Sequence, residues 1–313
     1  MNISKNDLIR LRRQGRYEEA FKYVSEIYSK EKNRFTALAF FWASDALLGC
    51  RLKEKNTDEA RHLLYGMIKA YPYIDDNELM ANRKIVIDAL KLDKLIPNFN
   101  ITYFMPYFFK LPPRDWNDGR QAKGYWIPSL GQQVANRLMD RVPSADNEYV
   151  ARVLPYFRTA LAKNPTNAEN LRHLAQLYVR TKLKSEAGKI YIRLLKNSPK
   201  SYLYAELAAI TDDENLKICM LATAVATQQN QIFTVKWRYQ LARLLRETMP
   251  ERAAYEIRKS MEIRKNGGLF SSSDVERISR MLAEYDAVSE EEEQAFYDRC
   301  CKRVDKFIAG SDV

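Results

Sequence analysis

The residues that could carry catalytic or metal chemistry are few and scattered along the chain. The two histidines and four cysteines are His62, His173, Cys50, Cys219, Cys300 and Cys301. No pair of cysteines has the spacing of zinc ligands, and two adjacent thiols on a helix point to different faces. We therefore expect no metal site. The cysteine usage is typical of a protein from a reducing cytoplasm.

The sequence also lacks the common motifs of enzymes. It contains no phosphate-binding glycine loop of the P-loop or Rossmann type, no serine elbow and no paired-histidine motif. His173 follows a helical pattern, and His62 lies near a helix start, so both are expected at a surface or rim. The neighbouring carboxylates Asp212 and Asp213 lie in a turn, where solvation accounts for them. We predict a protein without enzymatic activity, catalytic residues or a cofactor.

The balance of charge is basic, with 51 Lys and Arg against 40 Asp and Glu, a net charge of +11. Such a charge attracts phosphate backbones and acidic proteins. Well-solvated helix faces are also rich in Lys and Arg, so both interpretations stay open. The N-terminal residues lack the apolar run of a signal peptide, and we see no stretch of about 18 apolar residues. We expect no membrane span and a cytoplasmic location.

The clearest structural pattern is a pair of amphipathic helices over residues 168–199. Its apolar residues recur at the 3.6-residue spacing of a helix face. The small residues Ala175 and Ala187 lie where two helices would cross closely, and Pro199 ends the second helix. The interval from Pro165 to Pro199 is about 34 residues, a known repeat period. With only 10 glycines and 11 prolines, the chain is not expected to be all-β.

This pair resembles a tetratricopeptide (TPR) repeat. The residues that match its motif positions are Leu171, Ala175, Tyr178, Ala187, Tyr191 and Pro199. Lys182 replaces the usual turn glycine, and Ala175 replaces the usual glycine of the first helix. Weaker matches cover residues 14–32 and 56–72. The resemblance implies an all-α fold, a right-handed TPR-like α-solenoid of helical hairpins, whose concave groove binds a protein or peptide segment.

A fainter resemblance covers more of the chain. The segments that carry it are WIPSLGQQVANRL, KWRYQLARLL, AAYEIRKSMEIRK and QAFYDRCCKRVDKFI. They are similar to a family of uncharacterised bacterial helical-repeat proteins. Some members are associated with TOTE-type conflict systems and carry a small nucleic-acid-binding β-barrel after the repeats. The resemblance lies in helix-packing positions, so it implies no catalytic residues.

These patterns predict four segments. Residues 1–96 form N-terminal helical repeats, residues 97–128 an irregular aromatic and proline-rich insertion, residues 129–268 TPR-like repeats, and residues 269–313 C-terminal capping helices. The insertion holds nine aromatic residues and five prolines, and prolines at that density break regular helices. In one interpretation its aromatic side chains cover the inner surface of the superhelix. In the other, some of them stack on bases or cap a peptide groove.

Two functions are compatible with this sequence. The leading hypothesis is an adaptor or scaffold that binds a protein or peptide segment, with groove candidates on two first helices: Asn170, His173, Gln176, Arg180, Arg238 and Arg243. The alternative is binding of RNA or single-stranded DNA, which the net charge and the N-terminal arginines favour. Its candidate contacts lie in the insertion and are Arg114, Trp116, Arg120, Lys123 and Trp126.

Overall fold

The expected helical character is confirmed. A computed structural model describes residues 10–11, 13–75, 77, 79–117, 119–122 and 124–311. Within these ranges the chain forms fifteen α-helices and two short strands. It divides into two compact units, Met1–Asn170 and Leu171–Val313, and the division falls inside the helix Ala168–Arg180.

The first unit contains seven helices and a β-hairpin among its described residues. They are α1 (Tyr17–Lys30), α2 (Arg34–Lys53), α3 (Thr57–Ala70), α4 (Met80–Leu95), α5 (Met105–Phe109), β1 (Arg120–Ala122), β2 (Tyr125–Ile127), α6 (Leu130–Arg141) and α7 (Asn147–Lys163). Helices α1 to α4 each pack on the next, and α6 and α7 pack on each other. The core between them is apolar, with Phe41, Leu64 and Ile85 fully buried. Packing of successive helices is consistent with an α-solenoid.

Helix α2 is the apolar centre of this part of the chain. By length and composition, it is the one helix of the described ranges that could cross a membrane. It packs between α1 and α3, and it buries Phe41, Leu47 and Leu48. The capping box between Asn33 and Thr36 fixes its first turn. A core helix has this composition as well, so the packing accounts for the apolar sequence.

The second unit continues after α8 (Ala168–Arg180). Its further helices are α9 (Lys184–Asn197), α10 (Ser201–Ile210), α11 (Glu214–Thr227), α12 (Val235–Leu245), α13 (Pro250–Asn266), α14 (Ser273–Met281) and α15 (Glu290–Gly310). Helices α9 to α14 pack successively, whereas α15 returns to pack along α11 and α9. The buried stripe that it presents consists of Phe296, Cys300, Val304 and Ile308. The last helix is therefore part of the core of this unit.

The same tight turn precedes α1, α3 and α9. In each turn, a residue two positions before the helix has a positive φ: Gly15 at 75°, Lys55 at 61° and Lys182 at 63°. The N–H of the next residue then donates to the carbonyl five positions earlier, at 2.8 to 3.0 Å. This is the hydrogen bond of a Schellman turn, which normally favours glycine. Lys182 thus adopts the left-handed conformation at the position where the repeat motif has glycine.

Candidate functional site

Several large aromatic residues of the insertion are buried in the core of the first unit, whereas Tyr103 is half-exposed. Phe104, Phe108 and Trp116 are almost fully buried. The centroid of the Trp116 ring lies 5.5 Å from that of Tyr156 on α7, and the Phe108 ring lies 6.2 Å from it. The Tyr156 hydroxyl donates to the Gly131 carbonyl at 2.8 Å, which ties α7 to α6. These aromatic residues are structural.

Polar contacts attach the same part of the insertion to α4. Arg83 Nε donates to both carboxylate oxygens of the buried Asp115, at 2.9 and 3.0 Å. Asn82 Nδ2 donates to the Tyr107 carbonyl at 3.0 Å. The Trp116 indole N–H donates to the Leu111 carbonyl at 2.9 Å. An irregular backbone can be buried here because its polar groups are paired.

The second aromatic group lies on the β-hairpin and is exposed. Tyr125 and Trp126 are 77% and 59% exposed, and Ile127 follows them on the same strand. The register pairs Arg120 with Ile127 and Gln121 with Trp126. Alternation along the strands therefore places Arg120, Tyr125 and Ile127 on one face, which we call the hairpin face, and Trp126 on the other.

Gly119 fixes the position of the Trp126 ring. A Cβ at Gly119 would lie 2.8 Å from Cε2 of Trp126 and 2.4 Å from the Ile127 carbonyl oxygen. The indole therefore lies against the backbone before β1, with more than half of its surface still in solvent. Gly124, with φ at 80°, allows the turn between the strands.

The five nucleic-acid candidates of the sequence are in different environments. Trp116 is in the core, and Lys123 lies outside the described residues. Arg120 and Trp126 are exposed on the hairpin. Arg114 is exposed as well, with Nη2 3.1 Å from the Met80 sulfur. Because Trp116 is buried, it cannot contact a nucleic acid in this conformation. Among the described candidates, only Arg120 and Trp126 lie on the hairpin.

The six groove candidates also differ in accessibility. Asn170, His173 and Arg238 are buried, so they cannot contact a macromolecular partner in this conformation. Gln176 Nε2 donates to Glu206 Oε1 at 3.0 Å, and Glu206 also pairs with Arg172. Arg180 on α8 and Arg243 on α12 are exposed. Spacing on a helix face could not reveal these internal contacts, because they are made with later helices.

Arg238 is instead the centre of a buried polar cluster in the second unit. Its Nη1 donates to Glu256 Oε2 and to the Tyr297 hydroxyl, both at 2.9 Å. Its Nε donates to the Thr234 hydroxyl, and its Nη2 to Gln231 Oε1, both at 3.2 Å. The Tyr297 hydroxyl in turn donates to Glu256 Oε1. All three guanidinium nitrogens are thus engaged, and the cluster joins α12, α13 and α15.

A second buried carboxyl group lies beside this cluster. Arg252 on α13 donates to Glu293 in the first turn of α15. Burial, together with the nearby Glu256 carboxylate, raises the pKa of Glu293 to about 8, although Arg252 opposes that rise. Glu293 is therefore largely protonated at neutral pH. Glu293 has the helical spacing of the buried stripe Phe296, Cys300 and Val304, which places it on the same face.

A cavity of about 380 Å³ opens next to the Arg238 cluster. Its lining is mixed in charge and includes Gln231, Arg238, Tyr255, Lys259, Glu262 and Glu290. Lys259 Nζ lies 3.4 Å from Glu262 Oε2, so part of this charge is already neutralised. Among the described residues, no group of three or more His, Cys, Asp or Glu side chains could hold a metal ion. Of the lining residues, Arg238 joins helices through its cluster, whereas Lys259 and Glu262 both lie on α13.

Comparison with known families gives one finding. Residues 173–303 match a family model described as a domain of unknown function, DUF7017. The matched segment contains the Arg238 cluster, Glu293, Cys219 and Cys300, and it excludes the hairpin. No curated protein matches the chain. The chain is thus similar to that family over the greater part of its second unit.

Proposed function

We propose that the protein is a non-enzymatic adaptor, a right-handed TPR-like α-solenoid, which binds an extended segment of a partner protein on its β1–β2 hairpin. The observation that carries the proposal is the exposure of three consecutive large apolar residues, Tyr125, Trp126 and Ile127. Exposed apolar residues in a group are typical of interaction sites. Most other large aromatic residues of the insertion are buried or partly buried, and only Tyr103 among them is half-exposed, so the exposure is concentrated on the hairpin.

The recurring turns support the repeat architecture. Gly15, Lys55 and Lys182 have the same backbone conformation at the same distance before a helix. Ala175 and Ala187, which match the small residues of the TPR motif, are both fully buried. Buried alanines let neighbouring helices approach closely. The three turns are spread over both units, as expected for a repeated hairpin.

The hairpin also offers a mode of binding. A two-stranded sheet leaves backbone N–H and C=O groups unpaired along its outer edges. An extended partner segment can add to such an edge as a further strand and obtain affinity from main-chain hydrogen bonds. Tyr125 and Ile127 on one side, and Trp126 on the other, would then select its side chains. Groove contacts through Arg180 and Arg243 remain compatible with this mode, since both are exposed.

One arrangement favours the second candidate function, the binding of single-stranded nucleic acid. Arg120 lies opposite Ile127 on the hairpin face that also holds Tyr125. An exposed aromatic ring next to a guanidinium can stack on a base while the cation contacts a phosphate. The net charge of +11 would add long-range attraction.

A photo-crosslinking amino acid at position 125 tests both candidates in cells. The matched control carries it at Phe35, which is similarly exposed on α2 of the same unit. Protein adducts specific to position 125 support the adaptor, and RNA or DNA adducts support the second candidate. Adducts no more frequent than those at position 35 contradict both.

Affinity measurements on the crosslinked partner then test the hairpin itself. If it is the binding site, Trp126→Ala weakens binding by at least about tenfold, as for an interface anchor. Phe35→Ala leaves the affinity unchanged. For a nucleic acid, Arg120→Gln lowers both the affinity and its dependence on salt. Equal affinities of the wild type and Trp126→Ala would exclude the hairpin as the protein-binding site.

A further inference from the structure

Four large apolar side chains on two loops of the second unit are exposed to solvent. We call them the loop patch: Ile232, Phe233, Leu269 and Phe270. The first two lie in the turn Gln231–Thr234 before α12, and the other two follow α13. A Cβ at Gly267 would lie 3.8 Å from Ile232 Cδ1 and 3.6 Å from Leu269 Cγ, so the two loops lie side by side. Phe270, at the end of the patch, is 86% exposed.

Hydrogen bonds hold both loops in place. In the turn before α12, the Thr234 hydroxyl donates to the Gln231 carbonyl at 2.7 Å, and Arg238 donates to the side chains of both residues. After α13, the Leu269 N–H donates to the Arg264 carbonyl at 2.8 Å. The Arg238 cluster therefore also fixes the turn that carries half of the loop patch.

The cavity beside the Arg238 cluster also borders the loop patch. Its lining includes Gln231, which precedes Ile232, and Asn266, which precedes Gly267. Its volume of about 380 Å³ is near the lower end of the range for ligand sites, roughly 300–1,000 Å³. A mainly polar cavity beside an apolar patch fits a short peptide, which has a polar backbone and apolar side chains. The flat surface of a membrane would leave the cavity unfilled.

The cations next to the patch lack anions. Arg264 is partly buried, its Nη1 donates to the Phe270 carbonyl at 2.8 Å, and its buried Nε has no hydrogen-bond partner among the described residues. Within the same part of the chain, Lys259 pairs with Glu262, whereas neither Arg264 nor the exposed Lys265 has an ion pair. A carboxylate from a partner would offset a desolvation cost that Arg264 now bears without compensation.

We propose that the loop patch and the adjoining cavity bind a short acidic segment of a partner protein. Large apolar side chains of this segment pack on Phe233 and Phe270, its backbone enters the cavity, and an Asp or Glu pairs with Arg264. The site is independent of the hairpin, because it uses residues of the second unit alone and selects a segment by its negative charge.

A library of random peptides displayed on phage tests the site, with the full chain as bait. Peptides are first depleted on the double variant Phe233→Ser, Phe270→Ser, which keeps the hairpin and so removes the peptides that bind there. The remaining peptides are then selected on the wild type. We expect enriched peptides that combine a large apolar residue with Asp or Glu. Failure to enrich any peptide, or enrichment without acidic residues, would overturn the proposal.

The affinity of one enriched peptide for single variants then locates its contacts. Phe270→Ser should weaken binding by at least about tenfold. Phe35→Ser, at a residue of the first unit with the same 61% exposure as Phe233, should leave binding unchanged, and so should Trp126→Ala on the hairpin. Urea unfolding verifies that each variant is folded. Equal affinities of the wild type and Phe270→Ser would overturn the proposal.

A double-mutant cycle tests the charge pair. Arg264→Gln, and replacement of the acidic residue of the peptide by its amide, should each weaken binding by about fivefold. The two changes together should weaken it little more than either one alone, because each removes the same interaction. Fully additive losses would show that the carboxylate does not contact Arg264.

Vesicle sedimentation separates a peptide site from a membrane anchor. The protein is mixed with vesicles of phosphatidylcholine, with or without phosphatidylglycerol, and we expect it to stay in the supernatant in both cases. Sedimentation with the anionic vesicles that Phe270→Ser abolishes would assign the loop patch to a membrane surface and overturn the proposal.

Discussion

Arg238 and Glu256 form an ion pair in the interior of the second unit, with Nη1 2.9 Å from Oε2 and both side chains buried. Tyr297 from the last helix completes the contact by bonding to both residues. A buried charge whose partner is removed pays most of its desolvation cost without compensation. The packing of α12, α13 and α15 is therefore stable only while Arg238, Glu256 and Tyr297 remain bonded to one another.

The first prediction concerns the loss of this partner. Arg238→Met should lower the free energy of unfolding by about 3–5 kcal/mol, because the Glu256 carboxylate stays buried without its cation. The matched control is Arg243→Met on the same helix, where exposure limits the change to about 0.5 kcal/mol. Urea unfolding measures both. Equal unfolding midpoints for the two variants would show that the ion pair does not hold these helices together.

The second prediction concerns pH. The pKa of Glu293 is raised from its ordinary 4.5 to about 8 in the folded chain. Between these two pH values, the folded state therefore keeps a proton on Glu293 that the unfolded state has released. The free energy of unfolding should fall as pH rises from about 4.5 to about 8, by at most about 1.4 kcal/mol per pH unit, and level off above.

Variants isolate this contribution from other titrating groups. Glu293→Gln keeps the shape of the protonated acid and should flatten the fall in stability between pH 5 and pH 9. Glu291→Gln, on the exposed side of the same turn, should retain the slope of the wild type. Denaturant unfolding across this range provides the measurement. If the free energy of unfolding of Glu293→Gln fell with pH as steeply as that of the wild type, the proton would be bound by a group other than Glu293.

Local patterns predicted the helices well, because helix boundaries depend on local signals. The helix pair expected over residues 168–199 is observed as α8 and α9, and the weaker matches over residues 14–32 and 56–72 contain α1 and α3. Strands β1 and β2 were not expected, since three residues per strand carry too little alternation to be recognised.

The candidate sites were harder to predict because they depend on distant parts of the chain. Helical spacing placed His173 and Arg238 among groove residues, and only tertiary packing buries them. The sequence of the aromatic insertion does not show that Trp116 enters the core while Trp126 stays in solvent. Glu293 carried a usable signal, since its spacing to Phe296 and Cys300 places it on the buried face.

The third prediction concerns the recurring turns. Lys182 and Lys55 hold a left-handed backbone conformation that costs a side-chain-bearing residue about 1 kcal/mol. Lys182→Gly should therefore raise the free energy of unfolding by about 0.5 kcal/mol, after the greater flexibility of unfolded glycine is subtracted. Gly15→Ala should lower it by about 0.5 kcal/mol, since backbone strain exceeds the gain from a less flexible unfolded chain and no atom lies within 4 Å of the added Cβ.

The control for these turn variants is the same exchange within a helix. Lys189→Gly, in the middle of α9, should lower the free energy of unfolding by about 1 kcal/mol. Thermal and urea unfolding give the sign in each case. Destabilisation by Lys182→Gly as large as that by Lys189→Gly would mean that the turn does not favour glycine, and would remove one support for the repeat architecture.

The fourth prediction contrasts the two tryptophans of the insertion. Trp116 is buried against Tyr156, and Gly131 leaves space for its ring, since a Cβ there would lie 2.9 Å from Cε3. Trp116→Ala should lower the free energy of unfolding by about 3–5 kcal/mol, as for other large cavities. Trp126→Ala, on the exposed hairpin, should change it by less than about 1 kcal/mol.

The two tryptophans should have the opposite order of effect on binding, because Trp126 is exposed on the hairpin and Trp116 is buried. Under conditions where both variants remain folded, Trp126→Ala should lose affinity for a partner of the hairpin, while Trp116→Ala should retain it. Circular dichroism during urea unfolding and titration with the crosslinked partner measure the two properties on the same samples. If Trp126→Ala destabilised the fold as much as Trp116→Ala, the hairpin would belong to the core, and its apolar residues would need no partner.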